Sequence, residues 1–307
     1  MKLVVDKFNK SFGEKHVLKD LSFTAQSGGA MGLLGRNGSG KTTTIRSIMG
    51  IFPVDSGEST IDGVATQTMK RRIGYLPEER GLYPKRVIAE QMAYIGELRG
   101  LSAKVAKERS KSLLERLEAM EYYDKKLDTL SKGNQQKIQL AITLLTDPDI
   151  VILDEPFSGL DPVNSQILKR VVGELVDEGK LVLFSSHEMS YVEEFCDDIC
   201  IIDQGQIVLS GSLKEIKRGY PRYQIYITPE VAGAQELCQQ LTQLHSIANL
   251  AAKIEPQGHG AMVTLKTEEG KAALFAALTE SRIPLDGVSV VEPSLEDIFV
   301  EKVGAEK

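Results

Sequence analysis

Gly35-Arg36-Asn37-Gly38-Ser39-Gly40-Lys41-Thr42 fits the pattern G-x-x-x-x-G-K-[ST] in full. Glycines at these places let backbone N–H groups turn inward and approach phosphate oxygens with no Cβ in the way. The apolar stretch 30–34 fits a buried strand, and 41–49 reads as a helix whose N-terminal dipole faces the same anions. In that setting Lys41 reaches the β- and γ-phosphates, and the Thr42 hydroxyl can ligate a divalent cation. A second stretch, Ile150-Val151-Ile152-Leu153-Asp154-Glu155-Pro156, is an apolar run ending in two acids. Buried parallel strands read this way, and ligands sit at their carboxyl ends. Asp154 then faces the cation of a bound nucleotide, and Glu155, one residue farther, can orient or deprotonate an attacking water. Alone, such a strand could simply end in solvated acids; the complete phosphate loop upstream favours the chemistry.

The elements that must position these residues alternate along the first two thirds of the chain. Residues 3–8 and 21–25 read as strands, and 88–146 as a mostly polar, helix-rich stretch. Residues 150–153 and 181–185 are further short apolar strands. Segments 199–203 and 206–210 straddle Gln204-Gly205, a tight hairpin turn. Lys217-Arg218-Gly219-Tyr220-Pro221 marks a domain boundary. Beyond it, 223–227, 261–265 and 288–291 read as strands, and 232–244 and 270–278 as helices; no motif there carries chemistry.

The chain has 307 residues, a net charge of −6 and 26% charged residues, which fits a globular protein and argues against a general nucleic-acid binder. No apolar run approaches the roughly 18–20 residues that span a bilayer. Cys196 and Cys200 have the spacing of a metal half-site, but no further ligand lies nearby in sequence, so they read as packing. His16, His245 and His259 receive no role.

Other segments narrow the choice. Leu130-Ser131-Lys132-Gly133-Asn134-Gln135-Gln136-Lys137 resembles the LSGGQ signature of the ABC ATPases. Ser158-Gly159-Leu160-Asp161-Pro162 resembles their D-loop, Ser186-His187 their switch histidine, and Tyr75-Leu76-Pro77-Glu78 their Q-loop. Order and spacing match over about residues 1–217. The resemblance implies an α/β protein: a P-loop ABC ATPase core (1–217) with an inserted helical subdomain (about 88–146), then a small α/β or α+β module (220–307). It implies ATP and Mg²⁺ as cofactors, with Lys41, Glu155 and His187 catalytic. Gly35, Asn37, Gly38, Ser39, Gly40, Lys41, Thr42 and Thr43 would hold the phosphates, and Thr42, Asp154 and Glu78 the metal. Phe12 would stack on adenine, with Phe8 and Tyr75 as competitors and a core position as the plain alternative for Phe12.

Ser131 is a good N-cap residue, and the helix it opens offers an anion site. In the family this end presses on the γ-phosphate held by a second ATPase subunit, so Ser131 and Gly133 imply a dimer sandwiching two ATP molecules. Asp161 would support that interface. Three residues depart from the pattern: Lys132 replaces a Gly, Asn134 a Gln, and Glu78 a Gln. A carboxylate at 78 binds Mg²⁺ more strongly than an amide would, so coupling rather than nucleotide binding is expected to be tuned.

The segment from Tyr75 to Pro84, with Glu292-Pro293-Ser294-Leu295-Glu296-Asp297-Ile298-Phe299, resembles a bacterial subgroup that serves export permeases and carries a C-terminal module. The expected function is thus the ATP-hydrolysing motor of an exporter, cytoplasmic and held to the inner face of the membrane by a separately encoded permease. No nucleic-acid partner is expected. The alternative is a soluble ABC ATPase acting on ribosomes or nucleic acid; such proteins usually carry two motor domains, a coiled-coil insertion or a basic arm.

Overall fold

The computed structural model describes residues 1–69, 72–79 and 81–304. Arg80, within the export-type segment, and 305–307, at the end of the expected module, lie outside the described residues. The chain forms two compact units. One is Met1–Leu213 together with the chain's end from Phe299, and the other is Lys214–Ile298. The divisions thus fall near 213 and 298, where the sequence suggests 217–220 and no return of the chain's end.

The first unit opens with strands β1 (Lys2–Phe12), β2 (Lys15–Gln26) and β3 (Ala30–Leu34), then helix α1 (Lys41–Ile48). Strands β4 (Ser56–Ile61), β5 (Val64–Ala65) and β6 (Ile73–Leu76) follow. Helices α2 (Ile88–Leu98), α3 (Ala103–Arg116) and α4 (Lys132–Leu144) make the helical insertion before β7 (Ile150–Asp154). After it come α5 (Pro162–Asp177), β8 (Leu181–Ser186), α6 (Met189–Phe195), β9 (Asp198–Asp203), β10 (Gln206–Ser212) and α7 (Leu213–Gly219).

Two sheets result. An antiparallel one runs β2-β1-β4-β5, and a six-stranded one runs β10-β9-β3-β8-β7-β6. The second is parallel except for the β9–β10 hairpin. Every residue of β3, β7 and β8 is buried, which is why these strands read as unbroken apolar runs rather than alternations. The core joins both sheets: Leu3, Phe8 and Leu21 pack with Leu33, Ile152 and Leu183. The carboxyl ends of β3, β6, β7 and β8 all point the same way, so the loops that leave them can share one site.

The second unit contains β11 (Gln224–Pro229), α8 (Ala234–Gln243), α9 (His245–Ala248), β12 (Ala251–Gln257), β13 (Gly260–Leu265), α10 (Gly270–Ser281) and β14 (Leu285–Val290). Helix α11 (Leu295–Val303) runs across the second division. The sheet order is β12-β13-β11-β14, every neighbouring pair antiparallel. This is a split βαβ arrangement of the ferredoxin-like kind. Its core gathers Ile225, Ile227, Leu237, Val263 and Leu274.

Ile152 is fully buried in the middle of the first unit's larger sheet. Ile152→Ala is expected to cost ~2–5 kcal/mol, read as a shift of that unit's transition in urea unfolding followed by circular dichroism.

Candidate functional site

The loop between β3 and α1 closes on itself. A Cβ on Gly35 would lie 2.4 Å from Ser39 Oγ and 2.4 Å from the Ile202 carbonyl, so only glycine permits this approach. Lys41 is buried, and its ammonium donates to Gly35 O at 2.8 Å and Arg36 O at 3.5 Å. It also lies 3.7 Å from Glu155 Oε1. Asn37, Gly38, Gly40, Lys41, Thr42, Thr43, Phe12, Glu78 and Glu155 line one cleft of about 520 Å³, along with Lys15, Val17 and Arg36. Most of the residues expected to hold a nucleotide thus face one space.

Asp154 sits beneath that cleft, fully buried. Ser185 Oγ donates to its Oδ1 at 2.5 Å and Thr42 Oγ1 to the same oxygen at 3.4 Å, while the Tyr75 hydroxyl donates to Oδ2 at 3.3 Å. Burial first, and the Asp154 charge second, push the Tyr75 phenol up to about 12, so it remains a donor at neutral pH. Tyr75 is therefore committed to the carboxylate rather than to a base. Phe8 is fully buried in the core. Phe12, at 44% exposure, remains open; its ring stands edge-on to Phe52 at 5.3 Å, with the Lys10 ammonium 5.2 Å away.

Glu155 has φ +50°, a backbone region that costs a non-glycine residue energy. Strand β8 holds it there: Glu155 N–H donates to Ser185 O at 3.1 Å and to Ser185 Oγ at 3.2 Å. Its carboxylate, 7% exposed, lies between the Lys41 ammonium and His187 Nδ1, the latter 2.8 Å from Oε2. One acid thus touches both the phosphate-loop lysine and the histidine after β8.

Ser131 caps α4 by accepting from Asn134 N–H at 3.4 Å, and Asp161 caps α5 by accepting from Asn164 N–H at 3.0 Å. The Asn164 backbone N–H first, and its side-chain amide second, hold the Asp161 carboxyl below its usual range. Asn164 also joins the two caps. Its amide donates to Asp161 Oδ2 at 2.6 Å, and a Cβ on Gly133 would fall 2.5 Å from that same amide nitrogen. Gly133 therefore has a packing reason to be glycine, independent of any ligand. Neither Ser131 nor Gly133 is among the residues that line the cleft.

Does the site suit a nucleotide with a divalent cation? Asp154 is a buried carboxylate whose partners are hydroxyls, and a buried charge wants a counter-charge. Ser39 Oγ is buried with no partner among the described residues. Among the described residues no three His, Cys, Asp or Glu side chains gather into a metal site, so a cation here would complete its shell with ligand oxygens, as Mg²⁺ does with phosphates. The residues fit. Cys196 and Cys200 are buried, with thiols pushed up by desolvation, and behave as core. Sequence reasoning missed Ser185, since a serine ending an apolar strand gives no signal of its own.

The family described as "ABC transporter" matches residues 18–158, and "ATP-binding protein DrrA1-3-like, C-terminal domain" matches 211–303. The chain is 39% identical to an ABC transporter ATP-binding protein, YhaQ, of Bacillus subtilis (strain 168), over 99% of each chain. It is 30% identical to the Nod factor export ATP-binding protein I of Ralstonia nicotianae, over 99% of this chain and 94% of that one. Among solved structures, an ATP-binding subunit of an ABC transporter superposes with a TM-score of 0.66 at 30% identity, covering 71% of this chain and 92% of that one.

Ser185→Ala would strip Asp154 of its shortest hydrogen bond inside a closed interior. The expected loss is ~1.5–3 kcal/mol of stability, measured by denaturant unfolding of the ligand-free chain.

Proposed function

The chain belongs to the ATP-binding proteins of ABC transporters, and we propose that it drives a separately encoded export permease by hydrolysing ATP in a dimer of such subunits. The observation that carries this reading is the contact set of Glu155, which places a buried carboxylate between Lys41 and His187 at the mouth of the phosphate loop. The export-type segment and the Nod factor export relative support the direction. No helix among the described residues is long and apolar enough to cross a membrane, which fits a subunit held to the inner face of the membrane by its partner. An exposed cleft of about 620 Å³ lined by Tyr83, Arg86, Glu90, Gln91 and Tyr94 offers that partner a surface. Its two tyrosines combine apolar area with a polar tip, as docking sites favour.

In this reading the phosphate-loop amides and the N-terminus of α1 take the phosphates, and Phe12 stacks on the adenine for ~1 kcal/mol. Lys41 exchanges its carbonyl and Glu155 partners for phosphate oxygens. Thr42 and Asp154, with Glu78 from the same cleft, would hold Mg²⁺, which when bound neutralises phosphate charge. Glu155, released from Lys41, orients the attacking water and accepts its proton. His187 keeps the Glu155 carboxylate in place and reaches for the γ-phosphate. Ser131 and Gly133 lie outside their own chain's cleft, which suits a role at the phosphate held by a second subunit.

Glu155→Gln should abolish turnover while leaving ATP binding intact and favouring an ATP-bound dimer, measured by phosphate release and sedimentation. Turnover equal to that of the unaltered chain would remove Glu155 from the mechanism. Glu78→Gln should leave ATP affinity within a few fold, read by titration calorimetry; a hundredfold loss would make Glu78 a principal binding group instead.

A further inference from the structure

Helix α4 carries buried polar side chains at 136, 139 and 143 on the face it turns to the core. Each side chain donates to the backbone of β6 itself or of a segment that leaves β6 or β7. Gln136 Nε2 donates to Pro156 O at 3.1 Å, directly after Glu155. Gln139 Nε2 donates to Pro77 O at 3.1 Å and to Glu79 O at 3.3 Å. Thr143 Oγ1 reaches Tyr75 O at 3.3 Å. The Gln139 amide nitrogen therefore grips the residues on both sides of Glu78. Gln139 is 4% exposed. A long amide buried in this way loses rotamer freedom and hydration, which an apolar residue at the same place would not. What the amide provides instead is a directional tie.

We propose that Gln139 is a positioning residue that couples the signature end of α4 to the segment Pro77–Glu79, so that Glu78 follows the movement of α4. The inference rests on the dimer reading above, in which the N-terminus of α4 engages a nucleotide held by the second subunit. Engagement there displaces α4 as a rigid rod, and the Gln139 amide hands the displacement to Glu78, which with Glu155 is one of the two acids lining the chain's own cleft among the described residues. The tie is a stretch of packed and hydrogen-bonded atoms with a named donor and two named acceptors, which is the physical form that coupling between sites takes.

The test uses the full-length chain carrying Glu155→Gln, with and without Gln139→Met, which keeps length and volume but has no N–H donor. Sedimentation reports the dimer formed with Mg-ATP, calorimetry the ATP affinity, and amide hydrogen exchange the protection of Glu78 and Glu79. In the parent, dimer formation should change exchange at 78–79. With Gln139→Met, ATP affinity should stay within about twofold and the dimer should still form. Exchange at 78–79 in the free chain should rise by about thirtyfold, the effect of losing two bonds of ordinary net strength, and should no longer respond to the dimer. Gln139→Glu, an acceptor in place of a donor, should behave alike and serves where Gln139→Met does not fold. A full response at 78–79 in either folded variant, or none in the parent dimer, overturns the coupling. A parent that binds Mg-ATP and stays monomeric overturns the dimer reading and the coupling with it.

Discussion

A buried carboxylate, Asp154, sits behind the Thr42 end of the phosphate loop, and its solvation decides where much of the first unit must be. Taking Asp154 out of water costs several kcal/mol unless donors replace the lost hydration. The donors come from three separate segments: Ser185 at the end of β8, Tyr75 on β6, and Thr42 on α1. Strands β8 and β6 are the two neighbours of β7 in the sheet, and Asp154 pairs in register with Ser185. A one-residue slip of that register would turn the hydroxyl to the other face of the sheet. The same slip would unseat Glu155, whose N–H is held by Ser185 O and Oγ. Register, Asp154 and Glu155 are thus held together at Ser185, and the phosphate loop is tied to the two acids through Thr42 and Lys41.

That dependence explains which parts could be read from the chain alone. The phosphate loop was legible because a tightly folded loop tolerates few residue types, as the crowding of Gly35 against Ser39 and the Ile202 carbonyl shows. Strands β3, β7 and β8 were legible because burial on both faces leaves apolar runs that admit polar residues only at their carboxyl ends, Asp154, Ser185 and Ser186. Strand β1 runs on to Phe12 although its alternation stops near Phe8, because register shifts between Val5 and Ser11 break the two-residue period. Strand β12, Ala-Ala-Lys-Ile-Glu-Pro-Gln, gave no sign of itself: it lies at the sheet edge, where charged residues and proline are admitted. The short strands β4, β5 and β6 also escaped notice. Ser185, Asn164 and Gln139 were invisible for another reason. Their meaning lies in Asp154, Gly133 and the Pro77–Glu79 backbone, 31, 31 and 60–62 positions away, on elements whose adjacency only the fold supplies.

The helical insertion is joined to the core unequally on its two sides. Toward the cleft, Gln136 and Gln139 make buried hydrogen bonds; leaving such groups unpaired would cost ~1–3 kcal/mol each. On the opposite side, α3 meets α5 through Arg116 with Glu174 and Glu178, and through Arg170 with Glu118. These pairs are partly exposed, so each contributes ~0–1 kcal/mol and weakens with salt. An open surface pocket of about 190 Å³ bordered by Arg109, Arg116, Leu144 and Leu175 lies beside them. With strong directional bonds on one side and screened pairs on the other, a force on the insertion breaks the outer pairs first, while its cleft-facing edge stays bonded to the backbone at Pro77, Glu79 and Pro156. Movement of the signature end then reaches the Glu78 segment through the stiff side, because the loose side yields before it can transmit anything.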